Sequence, residues 1–369
     1  MTSLSDRGFV VDRAVFFPAI VFLLSTVGIV LLFPDASDAA FGAMQAAIVE
    51  HASWYYGLVM AILLITSGVL AFSRVGSIRL GPDNSSPDYS LFSWLSMLFA
   101  AGVGIGLMFY GVAEPVVHYL RPPIGDGAAI GAENRAVNLT MLHWGFNAWS
   151  VYALMALVLA YFSFRRGLPL TLRSAFFPIV GDRIYGPFGA AIDVFAIVCT
   201  TFGISTSLGL GVEQLSTGLY YLFDVPESGG MKLAITIAIM SMAAVSVALG
   251  LDTGIKRLSE INSFLAIALL CFVLLMGPTA LILGGTLENF GFYVANLITT
   301  STNLFTYEDT EWLGGWTIFY GARREEHYRA DPRRDLQRQL GDQLPTPLRD
   351  RPAGQPGSHL CGGTGQGDP

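Results

Sequence analysis

Seven stretches of this chain, residues 14–33, 54–72, 92–119, 136–163, 189–222, 231–249 and 260–284, stay apolar for longer than a soluble core helix requires. Crossing about 30 Å of hydrocarbon takes roughly 20 residues at about 1.5 Å each, so every one of them is long enough to span. With no water in the bilayer to serve exposed amides and carbonyls, each stretch reads as a helix. The composition, 53% hydrophobic and 13% charged, excludes an ordinary soluble domain. The expected fold class is therefore an all-α polytopic membrane protein. Arg7 and Arg13 precede the first stretch, but its length and the six that follow argue for a retained helix rather than a signal peptide. The net charge of −7 points away from nucleic acid, leaving membrane lipid and a small solute as partners. Cys199, Cys271 and Cys361 are too scattered for a disulfide framework or a ligand cluster.

Arginine and lysine alternate between the connections. Arg7, Arg13, Arg74, Arg79, Arg165, Arg166, Arg173, Arg183, Lys256 and Arg257 fall on one side; Arg121, Arg135 and Lys232 fall on the other. The positive-inside rule then places the amino terminus, residues 1–13, in the cytoplasm of a multi-pass cell-membrane protein. The stretch from Glu288 to Thr310 reads as an outer loop holding a short interfacial helix through Phe290, Phe292, Tyr293, Leu297 and Ile298. An eighth apolar segment starts at Glu311 and stops after about ten residues, too few to span. Residues 321–369 are polar, rich in arginine, glycine and proline. They read as an out-of-frame product of GC-rich DNA or as a disordered tail, and residues 14–320 as the membrane domain.

Gly102, Gly104 and Gly106 lie in the apolar run that continues to Glu114 and Pro115. Glycine weakens a helix by about 1 kcal/mol relative to alanine, so the cluster favours a local break beside a cavity. Gly102 and Gly106 also fit a helix-packing face, and that reading stands beside the first. The spacing does not match a nucleotide loop. Glu114 reads as interfacial. In the fourth stretch Trp149 and Tyr152 share a face, and Trp144 lies on its flank two turns away. Such a wall suits a methylated ammonium group, which has no hydrogen to donate but is drawn to aromatic faces; interfacial anchoring is the other reading. The fifth stretch is rich in hydroxyls, from Thr200 to Ser207. These suit sodium, or bond their own helix backbone. His143 is a candidate proton carrier or a structural residue, and Asn147 and Asp193 are candidate helix bridges.

The run Ile78–Pro87, the segment Phe99–Pro115 and the segment Glu311–Tyr320 closely resemble the betaine/carnitine/choline transporter family. The resemblance implies a sodium-coupled transporter fold of twelve helices, in which helices 3–7 and 8–12 are inverted repeats; this chain holds about seven helices and the start of the eighth. It implies substrate contacts at Gly102, Gly104 and Gly106, an aromatic box including Trp144, Trp149 and Tyr152, and a sodium ion at the carbonyls of Ala100 and Val103. Thr200 matches one residue of a second sodium site, whereas Ile204 departs from its partner threonine. Choline-preferring members carry aspartate where this chain has Gly106, so glycine here implies a zwitterion such as glycine betaine. The implied activity is uptake of a quaternary-ammonium compound for osmoprotection or nutrition by a homotrimer, driven by sodium, or by a proton or exchange. No enzyme activity or other cofactor is implied. The alternative is a transport-inactive membrane product of such a gene. A seven-helix receptor or membrane enzyme fits less well, because the seventh stretch has no retinal-type lysine and neither metal-spaced His/Glu clusters nor a nucleophile–base pair is evident in the sequence.

Overall fold

A computed structural model describes residues 11–105, 110–308, 310 and 312–318, with side chains for all of these except 101–105, 317 and 318. The readings placed on residues 1–10, Gly106, Glu311, Phe319, Tyr320 and 321–369 lie outside the described residues. Among those described, all regular structure is helical. The helices are α1 (Arg13–Leu32), α2 (Pro34–Phe72), α3 (Leu91–Ile105), α4 (Gly111–Leu120), α5 (Ala132–Trp144), α6 (Phe146–Ala160), α7 (Phe177–Val180), α8 (Pro187–Phe223), α9 (Gly229–Ala248), α10 (Lys256–Met276) and α11 (Thr279–Thr302).

Sequence chemistry sets several of the ends. Asp12 caps α1 by accepting from the Ala14 amide at 3.0 Å, and Ser228 caps α9 by accepting from Met231 at 3.2 Å. Pro34 opens α2 at a position where its missing N–H costs nothing. This helix runs 39 residues, about 58 Å, and begins 20 residues before the expected start. The alanine-rich sequence Pro34–Ser53 is a good helix former in its own right, which hydropathy alone does not register.

Among the described residues, seven helical segments are long and apolar enough to cross a membrane: Arg13–Leu32, Pro34–Phe72, Ala132–Arg165, Pro187–Phe223, Gly229–Ala248, Leu251–Met276 and Thr279–Thr302. Six of them correspond to expected spans, and Thr279–Thr302 is an addition. The expected span 92–119 holds α3 and α4, with residues 106–109 between them outside the described residues, and 260–284 is two helices. Pro278 divides the latter, since proline cannot donate into a continuing helix, and 279–284 open the 24-residue α11 in place of an outer loop with a short helix. Leu31 at 76% exposure and Phe72 at 95% typify an apolar surface suited to lipid rather than water.

Helices α1 and α8 pack together, as do α2 and α6, α3 and α10, α4 and α5, and α5 and α11. Polar bonds fix several of these pairs. Ser93 of α3 donates to Glu260 of α10 at 2.6 Å. Asp193 of α8 pairs with Arg173 at 3.2 Å, so the expected bridge is present, joining α8 to the turn before α7. The loop of residues 78–87 is tied to the end of α6 by Arg165, which donates to Asp83 at 2.6 Å and to the Gly81 carbonyl at 3.0 Å. Beside it, Tyr89 donates to Asp252 at 3.0 Å, and that bond raises the phenol's pKa above its ordinary value.

Candidate functional site

The fourth apolar stretch is two helices, not one. Gly145, at φ −93° and ψ −145°, separates α5 from α6. A Cβ at this position would lie 2.5 Å from the Tyr293 hydroxyl and would also meet the Met141 carbonyl, so only glycine fits without a shift. The break leaves the first amide of α6 without a helical partner. Tyr293 of α11 supplies one: its hydroxyl accepts from the Phe146 amide at 2.7 Å. On either side, Asn138 donates to Thr300 at 2.8 Å and Asn147 donates to Ser301 at 2.9 Å. Asn147 is thus a helix bridge, as its sequence position suggests, and α11 lies over the break.

Immediately before the break is a buried polar hub. Glu114 of α4 is 0% exposed, which corrects the interfacial reading. An uncompensated carboxylate at this depth would be costly, and its oxygens meet donors. Glu114 Oε1 pairs with His118 Nε2 at 3.2 Å and with His143 Nδ1, and Oε2 accepts from Trp144 Nε1 at 2.7 Å. Trp144 also stacks on Tyr110 at 5.7 Å. Trp312 Nε1 donates to His118 Nδ1 at 3.4 Å, and the rings of Trp312 and Trp316 lie over His143 at 5.7 and 6.4 Å. Trp312 and Trp316 are buried as well.

Sequence reasoning missed His118 and the contact with Trp312 and Trp316. The four-residue spacing of Glu114 and His118 was a visible signal, because such residues share a helix face. The tryptophan contact, across 194 positions, left no local trace.

The remaining predicted residues are dispersed. Trp149 and Tyr152 do share a face of α6, with ring centroids 5.8 Å apart and planes at 49°, and both are exposed. Trp144 stands across the Gly145 break with its indole N–H committed to Glu114. Gly102 and Gly104 lie within α3, which is helical to Ile105, so the backbone is unbroken at these two glycines and the expected unwinding there is corrected. Ala100 is half-buried on α3, and Val103 sits one turn farther along the same helix. Thr200 and Ile204 are both exposed on α8. Their neighbours Thr201 and Thr206 donate to the carbonyls of Ile197 and Phe202 at 2.8 and 3.0 Å, as membrane hydroxyls commonly do. The described His, Cys, Asp and Glu side chains come within ligand range of one another at Glu114, His118 and His143.

Comparison with known proteins gives consistent results. The profile described as betaine/carnitine/choline family transporter matches residues 14–323. A glycine betaine transporter from Acinetobacter baylyi is 46% identical over 318 residues, covering 86% of this chain and 48% of that protein. A high-affinity choline transport protein from Escherichia coli K12 is 45% identical over 293 residues, covering 79% of this chain and 43% of that protein. An osmo-dependent choline transporter from Acinetobacter baylyi is 38% identical over 312 residues, covering 84% and 46% respectively. The chain spans about half the length of the curated relatives it matches.

Proposed function

The chain belongs to the betaine/carnitine/choline transporter family, and from that premise we propose that it serves secondary active uptake of glycine betaine or a related quaternary-ammonium compound. The observation that carries this reading is the 46% identity, over 86% of the chain, to a glycine betaine transporter. The pair Trp149 and Tyr152 supports it chemically. Two aromatic faces on one side of α6, within 5.8 Å of each other, suit a trimethylammonium group. Gly106 favours a zwitterion over choline, because a carboxylate-bearing substrate needs no added negative charge at that position.

Sodium is the proposed coupling ion. The Ala100 and Val103 carbonyls are its proposed ligands in the first repeat, with Gly102, Gly104 and Gly106 at the substrate and Thr200 at a second ion. Coupling by a proton or by exchange is the other mode. A cytoplasmic amino terminus is proposed on the arginine distribution, and a homotrimer on the resemblance to the family.

Binding tests the reading. Purified chain in lipid nanodiscs is titrated with glycine betaine, choline and carnitine, with and without sodium, and tryptophan fluorescence is followed. The expected result is saturable, sodium-strengthened binding of glycine betaine, weaker in Trp149→Ala. Binding without uptake into proteoliposomes would favour a transport-inactive product, and absence of binding to any of the three would overturn the substrate assignment.

A further inference from the structure

We propose that the groove between α1 and α8 holds one molecule of phosphatidylethanolamine, with its phosphate at Arg173, its primary ammonium at Asp12 and an acyl chain between the helices. The occupant comes from the surrounding membrane, so the site does not depend on which solute the chain carries.

The groove has a volume of about 730 Å³, within the usual range of ligand sites. Residues between 12 and 22 form one wall, residues between 185 and 198 form the other, and Arg173 lies with them. The first and fifth apolar stretches are separated by three others, so α1 and α8 cross in the same direction and begin at the same membrane face. Each wall rises about 15 Å from that face, half of the hydrocarbon core and therefore the depth of one leaflet. Small side chains make the depression, Ala14 and Pro18 from α1 and Ala190 and Ala191 from α8. Farther in it is flanked by Phe22 and Phe195, which are 52% and 67% exposed and suit an acyl chain.

The outer end presents a cation and an anion. Arg173 passes over Gly189, where a Cβ would meet Arg173 Cδ at 3.0 Å and collide with the Ile184 carbonyl, so glycine keeps the passage open. The buried Nε of Arg173 lies 3.2 Å from Asp193 Oδ2, an ion pair out of line for a hydrogen bond. The guanidinium therefore keeps N–H donors for a phosphate, whose oxygens match its fork. Arg13 and Arg183, exposed at the same face, add to the positive field. Asp12 caps α1 through Oδ1, which leaves Oδ2 for a second donor. One turn on, Pro18 offers no N–H to the Ala14 carbonyl, so that acceptor lacks its helical partner as well. A primary ammonium can donate to both oxygens, whereas a trimethylammonium group has no hydrogen to give. A headgroup with net negative charge would face the Asp12 carboxylate. Ethanolamine is thus favoured over choline and glycerol headgroups.

The test is photolabelling of the full chain in detergent micelles, using phosphatidylethanolamine with a diazirine in one acyl chain and locating the labels by mass spectrometry. Labels are expected on residues 14–22 and 190–198. Unlabelled phosphatidylethanolamine should suppress them at about tenfold lower concentration than phosphatidylcholine or phosphatidylglycerol, a ratio that one hydrogen bond to a charged group supplies. Asp12→Asn keeps a good helix cap without the charge, and the preference for phosphatidylethanolamine is expected to fall several-fold. Arg173→Lys keeps a cation beside Asp193 but loses the fork, and is expected to weaken all three lipids alike. Ala191→Phe, at an exposed position, fills the groove and should abolish the labels. If that variant does not fold, Asp12→Asn and the competition in the unaltered chain decide the matter. Equal competition by the three lipids, stronger competition by phosphatidylglycerol, a preference unchanged in Asp12→Asn, lipid binding unchanged in Arg173→Lys, or labels undiminished in a folded Ala191→Phe would each overturn the proposal.

Discussion

The hub around Glu114 and the aromatic face of α6 are separated by a single glycine, and they differ in almost every physical respect. Before Gly145, His143 and Trp144 belong to a buried network in which a completely buried carboxylate meets two imidazoles and an indole. After it, Trp149 and Tyr152 stand exposed, with their rings in contact with each other. The second region is exposed, so a change there disturbs little of the interior. The first has its polar groups already committed, so a change there requires a rearrangement. The Gly145 break, stabilised by Tyr293, allows one apolar stretch to hold both environments.

The largest expected effect is at the hub. Glu114→Ala would leave donors on His118, His143 and Trp144 facing an empty space. Breaking a buried charged network costs about 3–5 kcal/mol, readable as a large fall in the unfolding midpoint in detergent. An unchanged midpoint would mean that the hub is not a unit. At the break, Gly145→Ala forces a Cβ against Tyr293 and the Met141 carbonyl, and overpacking of this kind costs about 1–3 kcal/mol in the same assay.

On the other side of the comparison, Trp149→Ala is expected to weaken glycine betaine binding by up to about thirtyfold, matching the loss of a desolvated cation–π contact of about 2 kcal/mol. Because Trp149 is exposed, its unfolding midpoint should move little, and a large fall would recast it as a core residue. The smallest effect belongs to Thr200→Val. Stability should change by less than about 0.5 kcal/mol, as expected of an exposed residue outside any bonded network. A change in sodium dependence of binding would support the second ion site there.

Helices with plain hydropathy were legible in the sequence. The observed α1, α8 and α9 lie within two residues of the expected 14–33, 189–222 and 231–249. Where hydropathy and helix propensity part, the reading failed, as at Pro34–Ser53. A span-length window also passed over the single residues Gly145 and Pro278, each of which changes backbone direction without changing the apolar average. At the candidate site the residue types were visible and their partnerships were not. Trp144 was read as a member of the aromatic wall with Trp149, whereas its N–H is bonded to Glu114. Glu114 was read as interfacial because nothing local announces that two histidines and three tryptophans from three segments converge around it. Burial of a charge is decided by tertiary contacts, and the sequence shows those poorly.

The central claim is transport of a methylated zwitterion past the aromatic face of α6. It is tested most directly by uptake of labelled glycine betaine into proteoliposomes containing the chain, under an inward sodium gradient, with Trp149→Ala alongside. The account predicts uptake that depends on the gradient and falls at least several-fold in the variant. Uptake that is the same in both proteins, or no uptake beyond that of empty liposomes, would contradict it.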